Sequence, residues 1–139
     1  MQAKKHVLSN GLRLVVVPMA GTATAAVIIF ARAGSRCETP QENGQSHFLE
    51  HMFFKGAKKY PNTKAVAEAV ENIGANQNAY TSEQEVAYYI KCVSSKVEVA
   101  FDVLSDMLLH SKFDPKEIKR ESGVIVAELK MMLDEPERY

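Results

Sequence analysis

The apolar positions of this chain of 139 residues follow two different periods, which predict strands and helices in turn. Short apolar or β-branched runs bounded by glycine, asparagine or proline are typical of strands, and apolar residues spaced three and four apart are typical of helices. The strand pattern covers residues 12–17, 25–33, 75–81 and 86–92. The last two runs are separated only by residues 82–85, which predicts a hairpin.

Four segments have the helical pattern. The first covers residues 45–54, the second begins after a capping Asn62 or Thr63, the third has an apolar stripe over 97–108, and the fourth continues to about Leu133. The fourth opens with Asp114 and Pro115, a typical helix start. Paired strands with helices between them predict an α+β fold, with helices packed on one face of a mostly antiparallel sheet.

Composition narrows the classes of partner. Lysine plus arginine and aspartate plus glutamate each number 17, so the net charge near zero gives no electrostatic reason to expect nucleic acid or an anionic membrane. No apolar run reaches the ~20 residues of a membrane span. The first residues lack a signal-peptide core, so we expect a cytoplasmic protein, with a mature organellar form as the alternative. Cys37 and Cys92 are isolated, which favours free thiols over a disulfide.

The first helix carries the most informative motif. His47 and His51 are four residues apart and therefore point to the same side of a helix, and Glu50 lies at the edge of that side. Two neutral imidazoles suit Zn²⁺, and a neighbouring carboxylate that is not a ligand can accept a proton from the attacking water. The order H-x-x-E-H is that of a class of zinc hydrolases. The alternative is a chance pattern of histidines that are merely hydrogen-bonded.

The last helix offers candidates for a third ligand. Glu121 and Glu128 are seven residues apart, nearly at the same angle around the helix, and lie on or beside its apolar stripe. A catalytic zinc site usually has three protein ligands, and a glutamate complements two histidines well. On such a helix, however, these carboxylates could equally form ordinary ion pairs with Lys119, Arg120 or Lys130.

Four stretches carry a resemblance to a known family, and they occur in order over nearly the whole chain. They are Gly34-Ser35-Arg36 with Glu38, Gly44 with the run from His47 to Gly56, Gly74-Ala75 with the run from Asn78 to Ser82, and Glu121 with Val124-Ile125 and Glu128. Together they resemble the zinc metallopeptidase family of pitrilysin, insulysin and the mitochondrial processing peptidase.

The resemblance implies roles for individual residues. In that family the two motif histidines and a glutamate about 75 residues downstream bind one zinc ion, and here 76 residues separate His51 from Glu128. It therefore implies one Zn²⁺ held by His47, His51 and Glu128, between the motif helix and the last helix. Glu50 would be the general base, and Glu121 would support a ligand histidine.

The resemblance also implies a place for substrate. Asn78 and Ala79 match the positions of an edge strand to which substrate backbone adds as a further strand. From the residues alone, Asn78 is equally well explained as a turn or bulge residue.

The length of the chain differs from that of the family. Its members pair two similar halves around a closed chamber, and an Arg-Tyr pair of the second half helps to polarise the substrate carbonyl. The resemblance implies that residues 1–139 are the N-terminal portion of the catalytic half. We therefore expect a second homologous domain in cis or in trans, in a homo- or hetero-oligomer, and weak cleavage or none by this chain alone.

The sequence thus predicts a zinc-dependent metalloendopeptidase that hydrolyses peptides or extended polypeptide segments. One alternative is a non-catalytic structural or partner-binding subunit of the same fold, which the presence of the motif residues and Glu128 disfavours. Another is a metal-free interaction domain whose motif arose by chance; it would bind no stoichiometric zinc.

Overall fold

The computed structural model describes residues 2–134, which form an α+β fold. The strands are β1 (Lys4–Val7), β2 (Arg13–Val16), β3 (Thr24–Ala31), β4 (Asn76–Thr81) and β5 (Val86–Val93). The α-helices are α1 (Gln45–Phe53), α2 (Thr63–Glu71), α3 (Val97–Leu109) and α4 (Pro115–Leu133), and two short 3₁₀ turns lie at Ser35–Cys37 and Ser94–Lys96. The predicted fold class is confirmed.

The main sheet has three antiparallel strands in the order β3–β5–β4. β4 and β5 form the predicted hairpin, and β5 also pairs with β3 along its whole length. Side chains alternate between the two faces of a strand, so every second residue of β5 lies on the same face, and one of these faces is buried. The buried side chains of that face are Val86, Tyr88, Ile90 and Cys92.

The helices cover that buried face and supply the rest of the core. α3 packs against β3 and β5, and α2 packs against α3 and β4. The fully buried side chains Val66, Val70, Val103, Leu104 and Met107 come from these two helices. The opposite face of the sheet is open, with Ile28 and Phe30 exposed. The sheet is therefore covered by helices on one side, as predicted.

A separate two-stranded ribbon precedes this sheet, and half of it was not predicted. β2 lies within the predicted run 12–17, but β1 pairs with it antiparallel, Lys4 opposite Val16 and Val7 opposite Arg13. Three of the four residues of β1 are polar or basic, so they have no apolar alternation. β1 is a strand because β2 supplies hydrogen-bonding partners, which local pattern does not reveal.

Helix ends were predicted well where a single side chain caps them. Asn62 accepts a hydrogen bond from the Ala65 N–H at 2.9 Å, and Asp114 accepts one from the Lys116 N–H at 2.8 Å, with Pro115 following. The two cysteines are free thiols, Cys37 exposed and Cys92 buried. In the described part of the chain, every helix is too short or too polar to cross a membrane.

The motif helix α1 is capped from a distance. The Glu38 carboxylate accepts hydrogen bonds from the Gly44 N–H at 2.8 Å and the Ser46 N–H at 2.6 Å. A carboxylate here satisfies unpaired amides and also complements the positive end of the helix dipole. These hydrogen bonds, first that of the Ser46 backbone and then those of its side chain and of Gly44, lower the pKa of Glu38. Glu38 thereby fixes where α1 begins.

Candidate metal centre

Helix α1 places His47 and His51 side by side, as the spacing of four residues predicts. Their Nε2 atoms lie 3.2 Å apart, and the two rings meet edge to face with their centroids 4.7 Å apart. Both side chains are partly buried, with exposed fractions of 35% and 19%. The two ring nitrogens therefore converge on one small region beside α1 that solvent still reaches.

Helix α4 packs against α1 and brings Glu128 to the same region. The Oε2 atom of Glu128 lies 3.9 Å from His47 Nε2 and 3.7 Å from His51 Nε2. The potential ligand atoms of these three residues lie within 4.8 Å of one another, and they form the one such group of three or more metal-ligating side chains among residues 2–134.

The three donor atoms suit a tetrahedral zinc site. Zinc bonds to nitrogen and oxygen of about 2.0–2.1 Å at tetrahedral angles require ligand atoms about 3.3 Å apart. The triangle here has edges of 3.2, 3.7 and 3.9 Å, so shifts of a few tenths of an ångström would complete it. Two imidazoles and one carboxylate leave a fourth position, which is typical of catalytic rather than structural zinc.

Glu121 lies behind His51, on its far side from Glu128. Its Oε1 atom is 2.9 Å from His51 Nδ1, and its other oxygen, Oε2, is 2.7 Å from the ammonium of Lys55. The Glu121 side chain is only 3% exposed. Burial raises the pKa of Glu121, but the nearby ammonium of Lys55 and the hydrogen bond with His51 outweigh it and hold the pKa below its usual value.

An ionised Glu121 determines the tautomer of His51. A carboxylate accepts a hydrogen bond from Nδ1–H, which leaves the lone pair on Nε2, the atom that faces His47 and Glu128. The ion pairs of Glu121 with Lys119, Arg120 or Lys130 that the sequence left open are therefore replaced by contacts to α1 and the residue just after it.

Glu50 lies on α1 directly before His51, and strand β4 holds its carboxylate. The hydroxyl of Thr81 donates a hydrogen bond to Glu50 Oε2. Burial and, to a smaller extent, the negative charge of Glu50 raise the pKa of the buried Tyr88 phenol. The Glu50 carboxylate thus lies between α1 and strand β4, and within the described residues it forms no hydrogen bond to either histidine.

Asn78 and Ala79 lie in the middle of β4, which pairs with β5 along one edge and with no other strand among the described residues. The Ala79 side chain packs against the core, and the exposed Asn78 accepts the Ala79 N–H through Oδ1 at 2.8 Å. Asn78 is therefore part of a regular strand, so the interpretation as a turn or bulge residue is wrong.

Two residues of this region were not predicted, Lys55 and Thr81. Both lie inside stretches that carry the family resemblance. Lys55 comes just after the motif helix, and Thr81 comes two residues after Ala79. Their contacts join segments that are far apart in the chain, Lys55 with Glu121 and Thr81 with Glu50. Spacing within one helix or strand gives no indication of such contacts.

A family model describing insulinase, peptidase family M16, matches residues 14–139 of the chain. This chain belongs to that family. An uncharacterized zinc protease of Bacillus subtilis, YmxG, is 41% identical over 134 residues, which cover 96% of this chain and 32% of the relative. The mitochondrial-processing peptidase subunit beta of Caenorhabditis elegans is 46% identical over 122 residues, which cover 88% of this chain and 26% of the relative.

The fold is also similar to that of a solved protease structure. The crystal structure of a protease from Helicobacter pylori superposes with a TM-score of 0.87 and 26% sequence identity, over 91% of this chain and 30% of that one. The chain therefore spans between a quarter and a third of the length of these relatives. The expected family of pitrilysin-like and processing peptidases is confirmed.

Proposed function

We propose that this chain carries the metal-binding part of the active site of a zinc metallopeptidase, with His47, His51 and Glu128 as the ligands. The observation that carries the proposal is the triangle of donor atoms, whose edges of 3.2–3.9 Å join two helices. Membership of a peptidase family and the name of the Bacillus subtilis relative indicate Zn²⁺ as the cofactor. When bound, Zn²⁺ lowers the pKa of a water molecule and polarises a carbonyl oxygen.

Glu50 is the proposed general base. It accepts a proton from the attacking water and returns that proton to the leaving amine. Two observations support this role: Glu50 precedes a proposed ligand directly, and its carboxylate is bonded through one oxygen to Thr81. Among the described residues, no other hydrogen bond to this carboxylate is present, so its second oxygen can take the proton. Glu121 is assigned a different task, which is to hold the proton of His51 on Nδ1.

The proposed substrate is an extended peptide segment that adds to the free edge of β4 at Asn78 and Ala79. An edge strand offers backbone N–H and C=O groups to any sequence, so binding would depend mainly on peptide backbone. The hydroxyl of Thr81, at the end of the same strand, reaches Glu50. The strand that would hold the peptide is therefore joined directly to the base, which favours endopeptidase cleavage of extended segments.

We propose that full peptidase activity needs a further domain in addition to this chain. The relatives are three to four times as long as the segments that match, and one of them is named as a subunit. We propose a second homologous domain, in cis or in trans, that completes the N-terminal portion present in residues 1–139. These relatives come from a bacterium and from mitochondria, so the cytoplasmic location stays a prediction.

The deciding experiment removes the charge and the basicity of Glu50 but keeps the shape of its side chain. Glu50→Gln should retain stoichiometric zinc, measured by elemental analysis, but lower the rate of cleavage by a factor of about 10²–10⁴. Glu71→Gln, an exposed change on α2, is the matched control and should leave both unchanged. Cleavage of a quenched fluorescent peptide is followed for this chain alone and for the product of the complete gene.

Each other outcome has a distinct meaning. Cleavage retained in the zinc-loaded Glu50→Gln protein would remove Glu50 from the mechanism. A complete gene product that binds zinc but cleaves no peptide, either alone or mixed with a homologous partner subunit, would favour the non-catalytic subunit. Absence of stoichiometric zinc, or zinc unaffected by His47→Ala and Glu128→Gln, would show that the ligand assignment is wrong.

A further inference from the structure

We propose that Lys55 is a positioning residue of the metal centre, which acts on the ligand His51 through Glu121. The inference rests on the proposed ligand set. Each oxygen of the buried Glu121 carboxylate has its own partner: Oε2 lies 2.7 Å from Lys55 Nζ, and Oε1 lies 2.9 Å from His51 Nδ1. The three side chains form a line that ends at the Nε2 atom facing Glu128.

The burial of these groups makes the contact more than a surface ion pair. The side chains of Lys55 and Glu121 are 17% and 3% exposed, whereas exposed ion pairs contribute little because water competes for both charges. A buried carboxylate that loses its partner keeps its desolvation cost and moves or reorganises to reduce it. The orientation of Glu121, and with it the hydrogen bond to His51, therefore depends on Lys55.

The backbone around Lys55 is fixed in place. The Lys55 N–H donates to the Met52 carbonyl at 3.0 Å, which extends the turn at the end of α1 two residues beyond Phe53. The next residue, Gly56, has φ of +131°, and a Cβ there would lie 2.5 Å from the Pro61 carbonyl oxygen. The tight loop 56–61 therefore determines the path of the backbone from the end of α1 through Lys55.

The far side of that loop is fastened to α3. The buried Asp106 carboxylate accepts the backbone N–H groups of Lys59 at 2.7 Å and Tyr60 at 3.2 Å, and Asp102 binds the side chains of the same two residues. The Lys112 N–H also donates to the Gly56 carbonyl at 3.1 Å. These contacts fix the backbone that follows Lys55, and from there its ammonium lies 2.7 Å from Glu121 Oε2.

A purely structural ion pair and a positioning residue make different predictions. If Lys55 only stabilises the fold, its removal lowers the free energy of unfolding but leaves the zinc affinity of the folded protein unchanged. If it acts through Glu121, its removal weakens zinc binding, and this loss disappears when Glu121 is already altered. Partners that support ligand histidines typically change metal affinity by about 10–100-fold.

The test measures the zinc dissociation constant of the full chain by competition with a chelator. Lys55→Met should raise this constant about tenfold. Glu121→Gln should raise it as much or more, and the double variant should be no weaker than Glu121→Gln alone. Lys64→Met removes the lysine of another ion pair, with Glu68 on the surface of α2, and should have no effect. Lys55→Arg keeps the charge and should retain the affinity within about threefold of wild type.

A second readout follows the tautomer of His51. In ¹⁵N-labelled wild type, the Nδ1 of His51 should carry the proton, and in Lys55→Met the population of this tautomer should fall. Circular dichroism identifies variants that do not fold, and Lys55→Arg remains decisive in that case. Wild-type affinity in folded Lys55→Met, additive losses in the double variant, or a loss in Lys55→Arg as large as that in Lys55→Met would each overturn the inference. A wild-type chain that binds no zinc would overturn the proposed function, and this inference with it.

Discussion

The hydroxyl of Thr81 donates a hydrogen bond to Glu50 Oε2, and this contact joins strand β4 to helix α1. Thr81 follows the proposed substrate-binding positions Asn78 and Ala79 along the same strand. Strand β4 would thus position both the added peptide and the Glu50 carboxylate that is proposed to act on it. A small displacement between them would matter, because proton transfer requires hydrogen-bond distance.

Thr81→Val should therefore lower kcat by about tenfold and change KM little. The substitution keeps the shape of the side chain but removes the donor that orients Glu50, and hydrogen bonds to charged groups contribute about 1.5–3 kcal/mol. Steady-state cleavage by the complete gene product gives both constants. Thr22→Val, an exposed change in a loop, is the control. Loss of zinc from Thr81→Val would instead indicate a structural defect of the metal site.

Glu38 predicts a dependence of stability on pH. Its pKa is lowered in the folded protein by the amides at the start of α1, so the native state favours the carboxylate. A group with a lowered folded pKa contributes stability above its unfolded pKa of 4.5, and this contribution disappears as the pH falls through the lower folded value. Glu38→Gln should therefore melt at a lower temperature than wild type at pH 7, by a difference that shrinks below about pH 4.5.

Melting temperatures of the two proteins between pH 7 and pH 3, recorded with a chelator so that metal does not contribute, provide the measurement. Glu71→Gln should run parallel to wild type over the whole range. A difference between wild type and Glu38→Gln that stays constant down to pH 3 would contradict capping by the Glu38 carboxylate.

Gly56 and Gly123 make a matched pair of glycine-to-alanine substitutions. Gly56→Ala places a Cβ 2.5 Å from the Pro61 carbonyl oxygen at a left-handed φ, and should lower the free energy of unfolding by roughly 2 kcal/mol or more. Gly123 lies inside α4, with no atom within 4 Å of an added Cβ. Gly123→Ala should raise that free energy by roughly 0.5–1 kcal/mol. Urea unfolding measures both, and equal effects would contradict the described loop.

The sequence predicted those parts of the site that lie within one regular element. His47 and His51 meet because an α-helix repeats every 3.6 residues, and Asn62 and Asp114 cap helices through contacts two or three residues away. Such contacts depend on local geometry alone. The resemblance added Glu128, which comes from a helix that local geometry does not relate to α1.

Helix α4 shows why the remaining contacts were not predictable. Apolar patterning assumes that the apolar side of a helix turns inward, yet Glu121 is the buried side chain of α4, while Val126 and Leu129 are 50% and 51% exposed. The buried side of this helix carries Glu121 and Glu128 beside the half-buried Ile118 and Ile125, and Glu121 is attracted there to Lys55 and hydrogen-bonded to His51. Charges that lie 66 or more positions away along the chain provide that attraction, so periodicity does not report it.

Zinc should stabilise the folded chain in proportion to the logarithm of its free concentration. Only the folded chain brings Glu128 to the histidines, so free zinc at 100 times its dissociation constant should add about 2.7 kcal/mol to the free energy of unfolding. Thermal melts over a series of buffered zinc concentrations measure this linkage. His47→Ala, with one ligand removed, should show a much weaker dependence, and a dependence equal to that of wild type would contradict the ligand assignment.

The single buried side chain of α4 has a mechanical consequence. A helix of 19 residues that buries one carboxylate is attached to the molecule at its metal-facing side and at few other points. Zn²⁺ would cross-link α1 and α4 there through their ligand side chains. Taking the metal away should loosen α4 first, and hydrogen exchange should accelerate in residues 115–133 well before it does in the three-stranded sheet.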